Sequence, residues 1–118
     1  ITKAIHGYLP YMKDNEIKEN IGFLIDDSVK KVYITGDTLS FNNDYKCDYI
    51  FIPFSNHGIT MGIYDGLMFA KETEAKLIIP MNIEDAVYPT NVNELVETAE
   101  KMKLKLKVMK ANDVLEID

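Results

Sequence analysis

The stretch "KKVYITGDTLSF", residues 30–41, decides how the rest of the chain is arranged. Val32, Tyr33, Ile34 and Thr35 favour extended backbone, and Gly36-Asp37-Thr38 is turn chemistry. The segment therefore predicts a strand that stops at a glycine and leaves Asp37 at its end. Asp37 either shapes that turn or holds something, such as a metal, and the neighbouring segments bear on which. Upstream, Ile21–Ile25 is a second β-favouring run, and Asp26-Asp27-Ser28 between the two predicts a hairpin. Before it, Thr2–Ile5 reads as a strand ending at His6-Gly7, and the polar residues 11–20 after Pro10 read as a loop or flap.

Downstream, Asn42, Asn43 and Asp44 mark a loop. The near-continuous apolar run Asp48–Phe54 that follows is of the kind buried on both faces of a sheet. Thr60 is expected to cap a helix over 61–73 with Ile63, Leu67 and Ala70 on one side. Lys76–Pro80 is another short buried strand. Asn91 and Glu94 have capping-box spacing, and Val92, Leu95, Val96, Ala99 and Met102 follow the i, i+3, i+4, i+7 pattern of an amphipathic helix. Lys105–Met109 and Val114–Ile117 are expected to close the chain as short strands. With no repeat, low-complexity tract or linker, residues 1–118 form one α/β unit.

Bulk composition narrows the function. The chain has 118 residues and a net charge of −6, with 13 basic against 19 acidic side chains. That balance argues against nucleic acid, whose phosphates need clustered Lys and Arg. Lys101, Lys103, Lys105, Lys107 and Lys110 do crowd the end of the chain, but with Leu and Val alternating between several of them they read as a solvated strand edge. Cys47 is the single cysteine, which rules out an internal disulfide or a cysteine-built zinc cluster and suits a cytoplasmic setting. No apolar run approaches the roughly 20 residues of a membrane span. The first residue is Ile1 rather than Met, so the chain is expected to be processed, shortened or part of something longer.

Three expected strand ends carry polar residues: His6, Asp37 and, after Leu77-Ile78-Ile79-Pro80-Met81, Asn82. Buried strands fix such groups in place while the loops leave room for a ligand. Each can equally satisfy local backbone groups, and spacing alone does not choose.

The ordered series "AIHGYLP", "NIGFLI", "KVYITGDT", "YIFIPFSNHGITMG" and "KLIIPMN" resembles the second half of a metallo-β-lactamase-fold hydrolase, in the branch of L-ascorbate-6-phosphate lactonase-like enzymes. The resemblance covers nearly all of the chain. It implies half of an αββα sandwich: one mixed β-sheet with helices on one face. It implies metal-dependent hydrolysis of an ester, lactone or phosphodiester, with one or two zinc ions and a small-molecule substrate. Carried over by position, His6 becomes a metal ligand and Asp37 a carboxylate bridging two metals, both at the catalytic centre. Asn82 stands where a second ligand belongs, and Asn56 and His57 in "SNHG" fall near substrate, with His57 a further candidate ligand.

Two departures qualify that reading. The chain lacks the family's His-x-His-x-Asp-His segment, and its only histidines are His6 and His57. Where Pro-x-His is expected it has Pro80-Met81-Asn82, whose neutral amide is a poor zinc ligand. Glu84 and Asp85 could bind a hard cation or simply start a helix, and Tyr8, Tyr11 and Tyr88 are rim candidates. The expectation is an incomplete metal site, completed by an N-terminal half-domain, or else a non-catalytic module that forms a homodimer through a sheet face left uncovered, carrying part of Ile34, Ile50, Ile52 and Ile78.

Overall fold

The hairpin at Asp26-Asp27-Ser28 forms, and its own carboxylates hold it. Asp26 Oδ1 accepts the Ser28 amide at 2.8 Å, and Asp27 Oδ1 accepts those of Val29 and Lys30 at 2.8 and 2.6 Å. These are the local Asx bonds that make such residues turn formers. The turn joins β2 (Glu19–Asp26) to β3 (Lys31–Ile34), paired antiparallel from Asp26↔Lys31 to Phe23↔Ile34. The computed structural model describes residues 1–5, 19–38, 45–54, 60–84 and 89–116.

β1 (Thr2–Ile5) lies antiparallel on the other side of β2. β4 (Tyr49–Pro53) and β5 (Leu77–Met81) extend the sheet in parallel beyond β3. The result is one mixed five-stranded sheet in the order β1-β2-β3-β4-β5. The segment 105–109 is not a full strand. Leu106 makes one parallel bridge to Ile78, with Ile78 N donating to Lys105 O and Lys107 N to Ile78 O, both at 2.9 Å. Around it Lys103, Lys105 and Lys107 are exposed while Leu104, Leu106 and Val108 are half-buried, so the lysines stand in solvent but on a single bridge rather than the expected strand edge. Val114–Glu116 form no strand either: among the described residues none pairs with them, and Val114 is left in solvent, while Ile117 lies outside the described residues.

α1 (Ile63–Glu72) starts at Gly62, not Thr60, and has no side-chain cap. Thr60 is buried, and the Met61 amide after it donates at 3.2 Å to the Thr38 carbonyl, so this stretch is tied to the turn after β3 rather than to the helix. α2 (Val92–Lys101) starts as its sequence predicts, with Asn91 Oδ1 accepting the Glu94 amide at 3.1 Å. Leu95 and Ala99 are buried along its stripe and Val92, Val96 and Met102 half-buried.

Pairing register sorts the sheet residues between two faces. The row Leu24–Tyr33–Ile50–Ile78 points to the helices, and with Ile52, Phe54, Leu67, Phe69, Ala70, Leu95 and Ala99 it makes the core. The next rows, Phe23–Ile34–Phe51–Ile79 and Ile25–Val32–Tyr49–Leu77, point the other way. Two corrections follow. Asp48–Phe54 is not buried on both faces, since Tyr49 and Phe51 are only half-covered. Ile50, Ile52 and Ile78 belong to the helix-covered face; of the four expected on the bare one, Ile34 alone is there.

The start of β4 is pinned by Asp48. Its Oδ2 accepts the Lys31 amide at 2.8 Å and its Oδ1 stands 3.5 Å from Lys76 Nζ, joining the beginnings of β3, β4 and β5. The Lys31 amide first, and the Lys76 ammonium after it, hold this carboxyl below its usual 3.8. A carboxyl whose folded pKa is depressed stabilises above the unfolded pKa, about 3.9, and loses that contribution as pH falls through the folded one. In thermal melts Asp48→Ala is therefore expected to lie below the parent at pH 7. The gap should shrink steadily below about pH 4; a constant gap from pH 7 to pH 2 would show that the charge is not what Asp48 contributes.

Candidate functional site

The chain leaves β3, β4 and β5 at one end of the sheet, and β1, antiparallel to β2, also ends there. From the row Ile34–Phe51–Ile79, three residues along each parallel strand lead to Asp37, Phe54 and Asn82. This is the open-sheet geometry in which ligands are held at the carboxyl ends of parallel strands.

Local structure explains why Asp37 is presented there. Thr35 N donates to Phe51 O at 3.1 Å, continuing the ladder one residue past β3. Gly36 then turns the chain with φ +66°, the left-handed region that L side chains avoid. A Cβ on Gly36 would also collide with the Ile21 carbonyl. Thr35 Oγ1 donates to Gly36 O at 2.8 Å, and Thr38 is buried with its carbonyl bound to Met61 N. Held on both sides, the turn leaves Asp37 half-exposed. Asn82 is exposed and itself at φ +55°, a conformation asparagine tolerates better than most residues.

Some anchors of this end have no signature in local sequence. Thr90 Oγ1 donates to Phe54 O at 2.6 Å and Thr90 N to Ile83 O at 3.1 Å, tying the segments after β4 and β5 together. The Phe54 ring lies on Gly66 of α1, where a Cβ would come within 2.7 Å of it. Gly22 is equally constrained, since a Cβ there would approach Ile34 O at 2.5 Å and Thr35 O at 2.6 Å. β2 therefore crosses the start of the Asp37 turn with no room for a side chain.

Of the expected site residues, Asp37 and Asn82 are brought to the same end of the sheet. His6, Asn56 and His57 lie outside the described residues, as do Asp85, Tyr8, Tyr11 and Tyr88. Among the described residues no three His, Cys, Asp or Glu side chains come together as a metal would need. Asp37 supplies a carboxylate, Asn82 only an amide, and Glu84 is exposed. The described residues thus do not by themselves fit a zinc ion, which takes about three good protein ligands in a catalytic site. Cys47 adds nothing there: it lies at the opposite end, before β4, where burial pushes its thiol pKa up.

No protein-family model and no curated protein matches the chain. Solved structures do. Igni18, a metallo hydrolase from the hyperthermophilic archaeon Ignicoccus hospitalis, is similar with a TM-score of 0.70 and 23% identity, over 98% of this chain and 51% of its own. A protein from Thermotoga maritima assigned as a Zn-dependent hydrolase of the metallo-β-lactamase superfamily gives 0.66 and 19%, over 84% and 61%. One from Parabacteroides distasonis assigned as a metal-dependent hydrolase gives 0.65 and 21%, over 90% and 47%. The fold is therefore that of part of a metallo-β-lactamase-type domain, and the chain spans roughly half the length of the structures it resembles.

Proposed function

We propose that the chain is the C-terminal portion of a zinc-dependent hydrolase acting on a small ester, lactone or phosphodiester, related to the ascorbate-6-phosphate lactonase-like branch. The observation that carries this is Asp37, set by a constrained turn at the carboxyl end of β3 in a fold shared with metal-dependent hydrolases. A carboxylate can hold a divalent cation and help a bound water lose its proton, the usual service of metals in hydrolysis. Because the described donors fall short of a zinc site, the other ligands are to come from His6 and from polypeptide outside residues 1–118.

Zinc retained after dialysis, measured by elemental analysis, tests this together with hydrolysis of p-nitrophenyl acetate, a simple lactone and bis(p-nitrophenyl) phosphate. Residues 1–118 alone are expected to keep less than one zinc per chain and to turn over none of the three. The same residues joined to a complementary half-domain should keep at least one zinc and hydrolyse one of them in a chelator-sensitive way. A full dinuclear zinc centre in residues 1–118 alone would overturn the incomplete-site reading. A joined protein that binds no metal would overturn the hydrolase.

A further inference from the structure

Residues 101–110 read KMKLKLKVMK, with five lysines and no acidic side chain. Of the 13 basic residues that leaves eight, against all 19 acidic ones, for the rest of the chain. Positive charge is thus concentrated on one short stretch of an acidic protein. All five lysines are exposed, and among the described residues none of their side chains makes an ion pair. Leu104 and Leu106 pack against the core, which turns Lys105 and Lys107 to the other side of the extended backbone. Two residues of extended chain set these lysines about 7 Å apart. Lys101, Lys103 and Lys110 flank them.

The same stretch is the outermost backbone of the sheet beyond β5. Ile78 N donates to Lys105 O and Lys107 N to Ile78 O, so the amide and carbonyl of Leu106 between them point outward. Among the described residues nothing bonds either group. An open strand edge is a template for another strand, and lysines along it turn away edges that carry the same charge. Opposite charges facing each other across a strand pair are favourable, so these lysines select an acidic strand as well as rejecting a basic one.

We propose that residues 104–108 are a docking edge for an acidic extended segment of a partner protein, in which Asp or Glu alternates with apolar residues. Added beside Leu106, such a segment bonds the open amide and carbonyl and sets its carboxylates opposite Lys105 and Lys107. Its apolar side chains then cover the half-buried Leu104, Leu106 and Val108. A nucleic acid fits less well, since its charge runs on past the lysines onto a surface where acidic side chains prevail. This docking takes no part in hydrolysis, and either reading can fail without the other.

The test uses the isotope-labelled protein and two fluorescein-labelled peptides of equal composition. One alternates (Val-Glu-Leu-Glu-Val-Glu-Leu) and the other is in blocks (Glu-Glu-Glu-Leu-Val-Leu-Val). By anisotropy the alternating peptide is expected to bind about tenfold more tightly than the block peptide. Replacing both lysines, Lys105→Gln and Lys107→Gln, should weaken it by about the same factor. Both side chains are exposed, so the fold should persist by circular dichroism; Lys107→Gln alone serves should the double variant fold poorly. The alternating peptide should also slow solvent exchange of the Leu106 amide in NMR spectra, which charge attraction alone would not do. Equal affinity for the two peptides, or an unchanged Leu106 amide, would overturn the proposal. So would oligo(dT) binding more tightly than the alternating peptide, which would make the occupant a nucleic acid. A dimer that already protects that amide without peptide would make a second copy the occupant, and would overturn it as well.

Discussion

Gly36→Val is expected to lower the thermal midpoint by about 12 °C while leaving the chain folded at 25 °C. Gly36 sits at φ +66°, and a Cβ there meets the Ile21 carbonyl of the neighbouring strand. The left-handed backbone costs an L residue about 1–2 kcal/mol, more for a β-branched one. Displacing a strand carbonyl adds to that, because β2 is held by its ladders on both sides. The sum is about 3 kcal/mol or more, a large part of the 5–15 kcal/mol by which a domain of this size is stable. At roughly 4 °C per kcal/mol the thermal midpoint should fall by about 12 °C. Gly36→Asn separates the two causes, since asparagine tolerates the left-handed region but carries the same Cβ. If it melts within a degree or two of Gly36→Val, the collision with β2 dominates; if it recovers most of the loss, backbone strain does. A Gly36→Val midpoint within 2 °C of the parent would show that the turn is not the rigid mount described above.

That turn shows how much of the molecule local sequence reveals. The hairpin, the strand before Gly36 and the start of α2 are legible because their determinants lie a few residues apart: Asp26 and Asp27 bond their own turn, and Asn91 bonds Glu94. The start of α1 is not, because Thr60 has the chemistry of a cap while Met61 beside it is engaged by Thr38 from another part of the chain. The two faces of the sheet are not legible either. Ile50 and Phe51 are equally apolar, and only the register with β3 and β5 sends one to the helices and the other to the open side. Thr90 and Gly66 were invisible for the same reason, since what they touch is Phe54, far away in sequence. Asp37 and Asn82 could be placed at strand ends from the apolar runs that precede them. That they follow strands running to the same end of one sheet needed the pairing.

Asp37→Asn, in the protein completed by its second half, should lower hydrolysis about a thousandfold while leaving the melting temperature within about 2 °C of the parent. Asparagine occupies turns as readily as aspartate, so the fold has little reason to change. What is lost is the negative charge and the second carboxylate oxygen, on which divalent-cation binding depends. Removing a residue that merely supports a metal ligand already costs 10–100-fold, so loss of a ligand itself sets a higher floor. The competing role for Asp37, as a turn former only, predicts another pattern: Asp37→Asn silent in both measurements, and Asp37→Ala less stable but as active per folded molecule. Zinc affinity gives an independent readout, because a ligand loss weakens metal binding and a turn defect does not. Full activity in Asp37→Asn with unchanged zinc affinity would return Asp37 to the turn and leave the hydrolase reading without the residue that carries it.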